Sequence, residues 1–253
     1  MSAFALLVEY DGAPFVGWQR QSTGLSIQQV IEEAAAHLNG GEPPLATAAG
    51  RTDAGVHAEA QVVQVEIGAD LPADRVRDAL NFHARPHPVV VRSAIAVAPG
   101  WSPRFDATGR AYRYRILNRR ARPALDFGRV WHVQRPLDAG AMHRAAQGLL
   151  GRHDFSAYRA ASCQAKSPLR TLDRLDVARL ADEVVIVAEA RSFLHHQVRN
   201  LVGTLAEVGM GRRPETWPRA VLDGRDRARA GQTAPPEGLT LTAVRYDPPI
   251  DWV

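Results

Sequence analysis

The chain has 253 residues, 45% hydrophobic and 23% charged, which is ordinary for a soluble globular protein of one large domain or two small ones. No apolar run approaches a membrane span, and the opening MSAFALLVEYDG lacks a basic, long-apolar leader, so a cytoplasmic protein is expected. The single Cys163 excludes an internal disulfide and any multi-cysteine metal site. Net charge is +4, and Lys166 is the only lysine among 31 basic residues. Arginine suits phosphates and stacks on bases, but a GC-rich genome gives the same bias, so charge permits a nucleic-acid partner without demanding one.

In chain order, FALLVEY at 4–10 predicts a strand ending at Asp11-Gly12. A helix follows from Ser26, with Gln29 three residues on, an apolar stripe of Ile27, Val30, Ile31, Ala34, Ala35 and Leu38, and Gly40-Gly41 to end it. Residues 61–67 put Val63, Val65 and Ile67 on one face of a strand; 71–81 reads as a short helix and 89–97 as another strand. The boundary falls near Pro99–Phe105, dividing the chain into 1–104 and 105–253. The second half repeats the order loosely. Strand 111–117 alternates Tyr112, Tyr114 and Ile116 with Arg113 and Arg115, and Asp138 caps a helix carrying Met142, Ala145, Ala146, Leu149 and Leu150, closed by Gly151. Residues 172–190 form a hairpin turning near Ala181-Asp182-Glu183. A helix from about Leu194 to Val208 and a strand at 239–246 complete the chain. Two such halves suggest an α+β duplication rather than alternating parallel units.

The densest motif is AGRTDAGVHA at 49–58. It sets the carboxylate of Asp53 among small residues, with Arg51 two before it and His57 four after. Gly50 and Gly55 free the backbone to turn and let another molecule approach closely. Asp in a tight turn is commonly only a cap. The order Thr52-Asp53-Ala54-Gly55 superficially resembles an aspartic protease, which needs a second copy that this chain lacks.

The whole string resembles the active-site signature of the TruA-type tRNA pseudouridine synthases, and five further blocks resemble that family in order. They are EYDGAPFVGWQRQSTGLSIQQ at 9–29, RFDATGRAYRYRILN at 104–118, GRHDFSAYRAASCQAKSPLRT at 151–171, FLHHQVRNLVGT at 193–204 and AGQTAPPEGLTL at 230–241. The resemblance implies an α+β fold of two similar halves sharing a continuous, mostly antiparallel sheet flanked by helices, with an active-site cleft between them. It also implies a cofactor-free homodimeric isomerase that turns uridine into pseudouridine at positions 38, 39 and 40 of the tRNA anticodon stem-loop.

By the same resemblance Asp53 is the nucleophile. Arg199 is the arginine that pairs with it, Tyr112 lies against the target uracil, Arg51 fills the space left by the flipped nucleotide, and Leu239 closes the pocket. The residues alone leave alternatives. Arg199 flanks the apolar stripe of its helix, where snorkelling along the helix is equally open to it. Tyr112 and Tyr114 share one strand face, so the pattern does not separate a base-contacting ring from a core ring. Leu239 fits plain core packing, and Arg51 fits a phosphate contact. Arg20, Arg110, Arg113, Arg115, Arg119, Arg120 and Arg122 are candidates for a phosphate-binding surface.

Metal chemistry has little support. His195 and His196 are adjacent and point apart on a helix, while Pro86 and Pro88 argue against the helix that would align His83 with His87. Cys163 lies in a block where the family implies no catalytic cysteine. The competing class is a catalytically silent RNA-binding or RNA-folding protein on the same scaffold, for which intact Asp53, Tyr112 and Arg199 would have no chemical use.

Overall fold

The computed structural model describes residues 2–252. The chain is α+β and forms two compact units, one running to Gly109 and taking in the segment from Leu241 onward, the other spanning Arg110–Thr240. These units differ from a simple division at 104/105. The break comes a few residues later, within a strand, and the last strand's Leu241–Tyr246 returns to the first unit.

The first unit is built on β1 (Ser2–Tyr10), antiparallel to both β3 (His57–Ile67) and β4 (Val89–Ala96). The two-residue β2 (Thr47–Ala48) adds to β3. Val63, Val65 and Ile67 are wholly buried, as the alternation predicts. The helices α1 (Ile27–Ala36) and α2 (Ala73–His83) contribute Ile27, Val30, Ile31, Ala34 and Ala35, and Val76 and Leu80, to the core. Ser26 caps α1, its side chain accepting from the Gln29 amide, and the chain leaves through Gly40 and Gly41 with φ of 68° and 97°. Leu38 lies past the helix end and is half-buried. The late part of β10 (Leu239–Tyr246) lies beside β3. Tyr246 packs there in a small core with Ala49, Val62 and Ala107, and its hydroxyl donates to the Pro103 carbonyl at 2.8 Å.

In the second unit, β5 (Ala107–Leu117), β9 (Glu183–Ala190), β8 (Leu169–Leu180) and β7 (Gly151–Asp154) follow one another in an antiparallel ladder. The short β6 (Trp131–His132) runs parallel to β5. The β8–β9 hairpin turns at Ala181-Asp182, where Ala181 has φ of 51°. The helices are α3 (Ala139–Gln147), α4 (Gln197–Gly209) and α5 (Trp217–Gly224). Asp138 caps α3 through the Ala141 amide, as expected, but α3 ends at Gln147 with Gly148 as its cap. Gly151, with φ of 94°, opens β7 instead, and Leu149 reaches the core from outside the helix. The α5 helix escaped the sequence reading because its buried Pro218, Val221 and Leu222, though spaced i, i+3 and i+4, span little more than one turn, too short a run to establish a period. Among the described residues no helix is long and apolar enough to cross a membrane.

Candidate active site

Residues 49–56 link β2 to β3, and hydrogen bonds fix them almost residue by residue. The Ala49 amide donates to the Val62 carbonyl at 2.8 Å, and the wholly buried Gln61 donates through Nε2 to the Gly50 carbonyl at 2.7 Å. Thr52 is held twice. Its hydroxyl lies 2.8 Å from the phenolic oxygen of Tyr10, and its carbonyl accepts from the Trp18 amide at 3.0 Å. The Val56 amide then donates to the Asp53 carbonyl at 3.1 Å, closing a turn on Gly55, whose φ is 77°. Burial pushes the Tyr10 phenol up to about 12, against the opposing hydrogen bonds of Thr52 and Gln61, so Tyr10 remains neutral at physiological pH.

The block at 9–18 packs against this loop backbone to backbone. Gly17 has φ of 105°, and a Cβ there would stand 2.8 Å from the Thr52 carbonyl oxygen and 3.0 Å from the Asp53 carbonyl carbon. A Cβ on Gly12 would stand 2.0 Å from the Val56 oxygen. The Gly12 amide donates to His57 Nδ1 at 3.1 Å, and Asp11 Oδ1 lies 3.1 Å from the same nitrogen. Asp53 therefore stands half-buried on a backbone immobilised on both sides, and Arg51 in the same loop is exposed.

In the second unit Tyr112 lies on β5 opposite Ala188, its ring edge-on to Phe193 with centroids 5.3 Å apart. Tyr114 shares its face but is fully buried, stands edge-on to Trp131 and donates its hydroxyl to the Pro235 carbonyl at 2.7 Å. Burial, with Glu237 adding and Arg199 opposing, raises the Tyr114 phenol well above its usual range. The structure thus separates the two tyrosines. Tyr114 is a core residue with its hydroxyl committed to the backbone, whereas Tyr112, though 9% exposed, retains some access.

Arg199 is half-buried on α4 and bracketed by Ala234. Its Nε donates to the Ala234 carbonyl at 2.8 Å, while its own carbonyl accepts the Ala234 amide at 3.1 Å. Arg227 lies behind this bracket. It donates to the Gly231 carbonyl at 2.8 Å and to Asn200 Oδ1 and Thr233 Oγ1, each at 3.0 Å. The Gly231 amide donates to Thr204 Oγ1 at 3.0 Å, and a Cβ on Gly203 would meet the Gln232 oxygen at 1.8 Å. Helix and segment interlock without side chains between them. Leu239, 5% exposed, opens β10 after Gly238, which has no room for a Cβ against the Tyr114 ring. The sequence reading missed Arg227 and Asn200; the glycines at 203 and 231 were the available signal.

Several candidate arginines serve the protein itself. Arg115 is paired to Glu183 and Asp126, Arg20 to Glu32 and Glu33, and Arg119 to Asp182. Arg110 is buried and donates to the Arg191 carbonyl. Arg120 and Arg122 are exposed, and Arg113 is half-buried. His195 and His196 precede α4 rather than lying on it. His196 takes φ of 62°, which brings the two rings to 4.1 Å instead of pointing them apart. His83 ends α2 and stacks on His37 at 3.9 Å, and His87 lies beyond the helix.

The family model described as tRNA pseudouridine synthase matches residues 6–106 and 145–247, covering both the Asp53 loop and the Arg199 bracket. The chain belongs to the tRNA pseudouridine synthase family. Among its relatives named tRNA pseudouridine synthase A, one from Acidiphilium cryptum (strain JF-5) is 63% identical over 248 residues, covering 98% of this chain and 97% of the relative. Others from Methylobacterium sp. (strain 4-46) and Rhodospirillum centenum (strain ATCC 51521 / SW) are 57% and 56% identical, covering 98% and 97% of this chain and 99% and 100% of theirs. The reaction of this tRNA pseudouridine synthase is the isomerisation of uridine to pseudouridine in tRNA.

Proposed function

We propose that Asp53 is the nucleophile of that isomerisation and that the target uridines lie at positions 38, 39 and 40 of the anticodon stem-loop. The observation carrying this reading is the half-buried Asp53 carboxylate on a loop whose neighbours Thr52 and Val56 are locked by backbone and side-chain hydrogen bonds. The reaction breaks the bond from ribose to N1 of uracil, turns the base over and joins ribose to C5; the C5 proton leaves to a base and N1 takes up a proton, so the composition is unchanged. It needs a carboxylate to hold the intermediate, a base for the C5 proton and a pocket that keeps the detached uracil.

The roles of the other residues rest on the family resemblance. Arg199 supplies the positive charge that pairs with the nucleophile. Tyr112 lies against the uracil and accepts its C5 proton. Arg51 occupies the space left when the uridine is extruded, a step costing roughly a few kcal/mol, and Leu239 closes the pocket. Action in the cytoplasm, as a homodimer with each tRNA crossing both subunits, belongs to the same proposal.

The test is tritium release from undermodified tRNA labelled at C5 of uridine, with carbodiimide mapping of the product and light scattering for the oligomer. Release mapped to positions 38–40 by a dimer supports the reading. Tight tRNA binding without release favours the silent RNA binder, and release mapped elsewhere replaces the anticodon assignment.

A further inference from the structure

We propose that the cavity at the junction of β7, β8 and the segment after β9 binds a backbone phosphate of the RNA substrate, an inference that rests on the tRNA reading above. The cavity, about 350 Å³, is lined by Arg152, Arg170 and Arg191 with the hydroxyl residues Ser167, Thr171 and Ser192, and no carboxylate lines it.

The three arginines differ from several others that are neutralised within the chain. Arg115, Arg144 and Arg174 each meet carboxylates. Arg152, Arg170 and Arg191 form no ion pair among the described residues. Arg170 is held in place, its Nη1 donating to the carbonyls of Ser167 at 3.0 Å and Leu169 at 2.6 Å, yet its buried Nε has no hydrogen-bond partner. A half-buried guanidinium with an unmet donor and no carboxylate partner is costly, and a tetrahedral oxyanion relieves both deficits. Burial also lowers the Arg170 pKa.

The rest of the lining is preorganised. Arg152 and Thr171 are directly opposed across the β7–β8 ladder and so share a face. Arg110 fixes the Arg191 backbone by donating to its carbonyl at 2.7 Å. Ser167 Oγ accepts from the Leu169 amide, leaving its hydroxyl proton for an anion. Guanidinium forks with hydroxyl donors suit a phosphodiester.

The test compares Arg152→Ala, Arg191→Ala and their double variant with Arg212→Ala, which removes an exposed arginine paired to Glu207. Arg152 and Arg191 are exposed, so thermal melts should be unchanged. The double variant should bind tRNA about tenfold more weakly at about 0.1 M KCl, with the slope of log K against log salt reduced by about one, while Arg212→Ala changes neither comparably. The single-turnover rate at saturating tRNA should be retained. Inorganic phosphate at millimolar concentration should weaken tRNA binding by the native protein more than by the double variant. Affinity and slope indistinguishable from Arg212→Ala would overturn the proposal. So would phosphate binding in the cavity that leaves tRNA affinity untouched, since the site would then serve a free anion. A native protein that releases no tritium from tRNA refutes the earlier reading instead; unchanged slopes in an active enzyme refute only this one.

Discussion

The phenolic oxygen of Tyr10 stands 2.8 Å from the hydroxyl of Thr52, tying the end of β1 to the residue immediately before Asp53. Tyr10 also receives Gln61 Nε2 at 3.3 Å, and Gln61 in turn holds the Gly50 carbonyl. One buried phenol thus anchors the Asp53 loop. Tyr10→Phe should destabilise the protein by about 1–2 kcal/mol, leaving the Thr52 hydroxyl without this partner, and should lower kcat more than tRNA affinity. Chemical denaturation and tritium release check the two halves of this expectation.

Tyr10 also sets an alkaline limit. Its pKa rises from 10.0 to about 12 on folding, so the folded state holds the proton more tightly than the unfolded state. Stability is therefore unaffected by Tyr10 below pH 10 and declines as pH rises from about 10 to 12, by on the order of 3 kcal/mol. Buried Tyr114 and Tyr158 act in the same direction. In a denaturation series from pH 9 to 12, Tyr10→Phe should lose stability less steeply than the native protein.

Gly17→Ala places a Cβ 2.8 Å from the Thr52 carbonyl oxygen at φ of 105°. Backbone faces it, so the Asp53 loop must shift. Displacement on the ångström scale costs about 10²-fold in rate. The variant should stay folded in circular dichroism, with a loss of kcat of that order and a smaller loss of tRNA affinity. Full activity would show that the close approach of Gly17 does not set the position of Asp53.

Arg227→Ala removes donors to Gly231, Asn200 and Thr233 without touching Arg199. The 230–235 segment that grips Arg199 through Ala234 should loosen. The expectation is a stability loss of about 1–3 kcal/mol and a fall in kcat, with Arg227→Lys restoring part of both. A kcat unchanged in Arg227→Ala would mean that the Ala234 bracket stands without this network.

Tyr112→Phe keeps the ring that packs on Phe193 and removes only the hydroxyl. It should retain tRNA affinity and stay within about 1 kcal/mol of native stability while releasing tritium slowly. Native rates would assign Tyr112 a packing role alone.

Much of this was legible in the sequence. The Ser26 and Asp138 caps, the β8–β9 hairpin and the presence of α4 follow from short-range rules, because each is decided by residues within one or two turns. The α3 end was misread because Gly148 and Gly151 both punctuate the chain, and only the three-dimensional path shows that Gly151 begins β7. The start of α4 shifted because His196 adopts a left-handed conformation, which histidine tolerates more than most residues but which sequence does not place at one position. Within the candidate site, the Asp53 loop stood out as a motif. The reason for Gly17 was not, because the contact it permits joins residues 35 positions apart on two loops. Nor was the different setting of Tyr112 and Tyr114, which depends on the Pro235 carbonyl meeting one hydroxyl.

The central claim is that Asp53 carries the chemical step. The direct measurement is tritium release from C5-labelled tRNA by the native protein and by Asp53→Asn, with tRNA affinity measured in parallel. The carboxamide keeps the size of the side chain and removes its charge, so binding should stay within a few-fold of native while release falls to background. Release by Asp53→Asn at a rate near native, with tRNA bound equally well, would contradict the claim and place the nucleophile elsewhere.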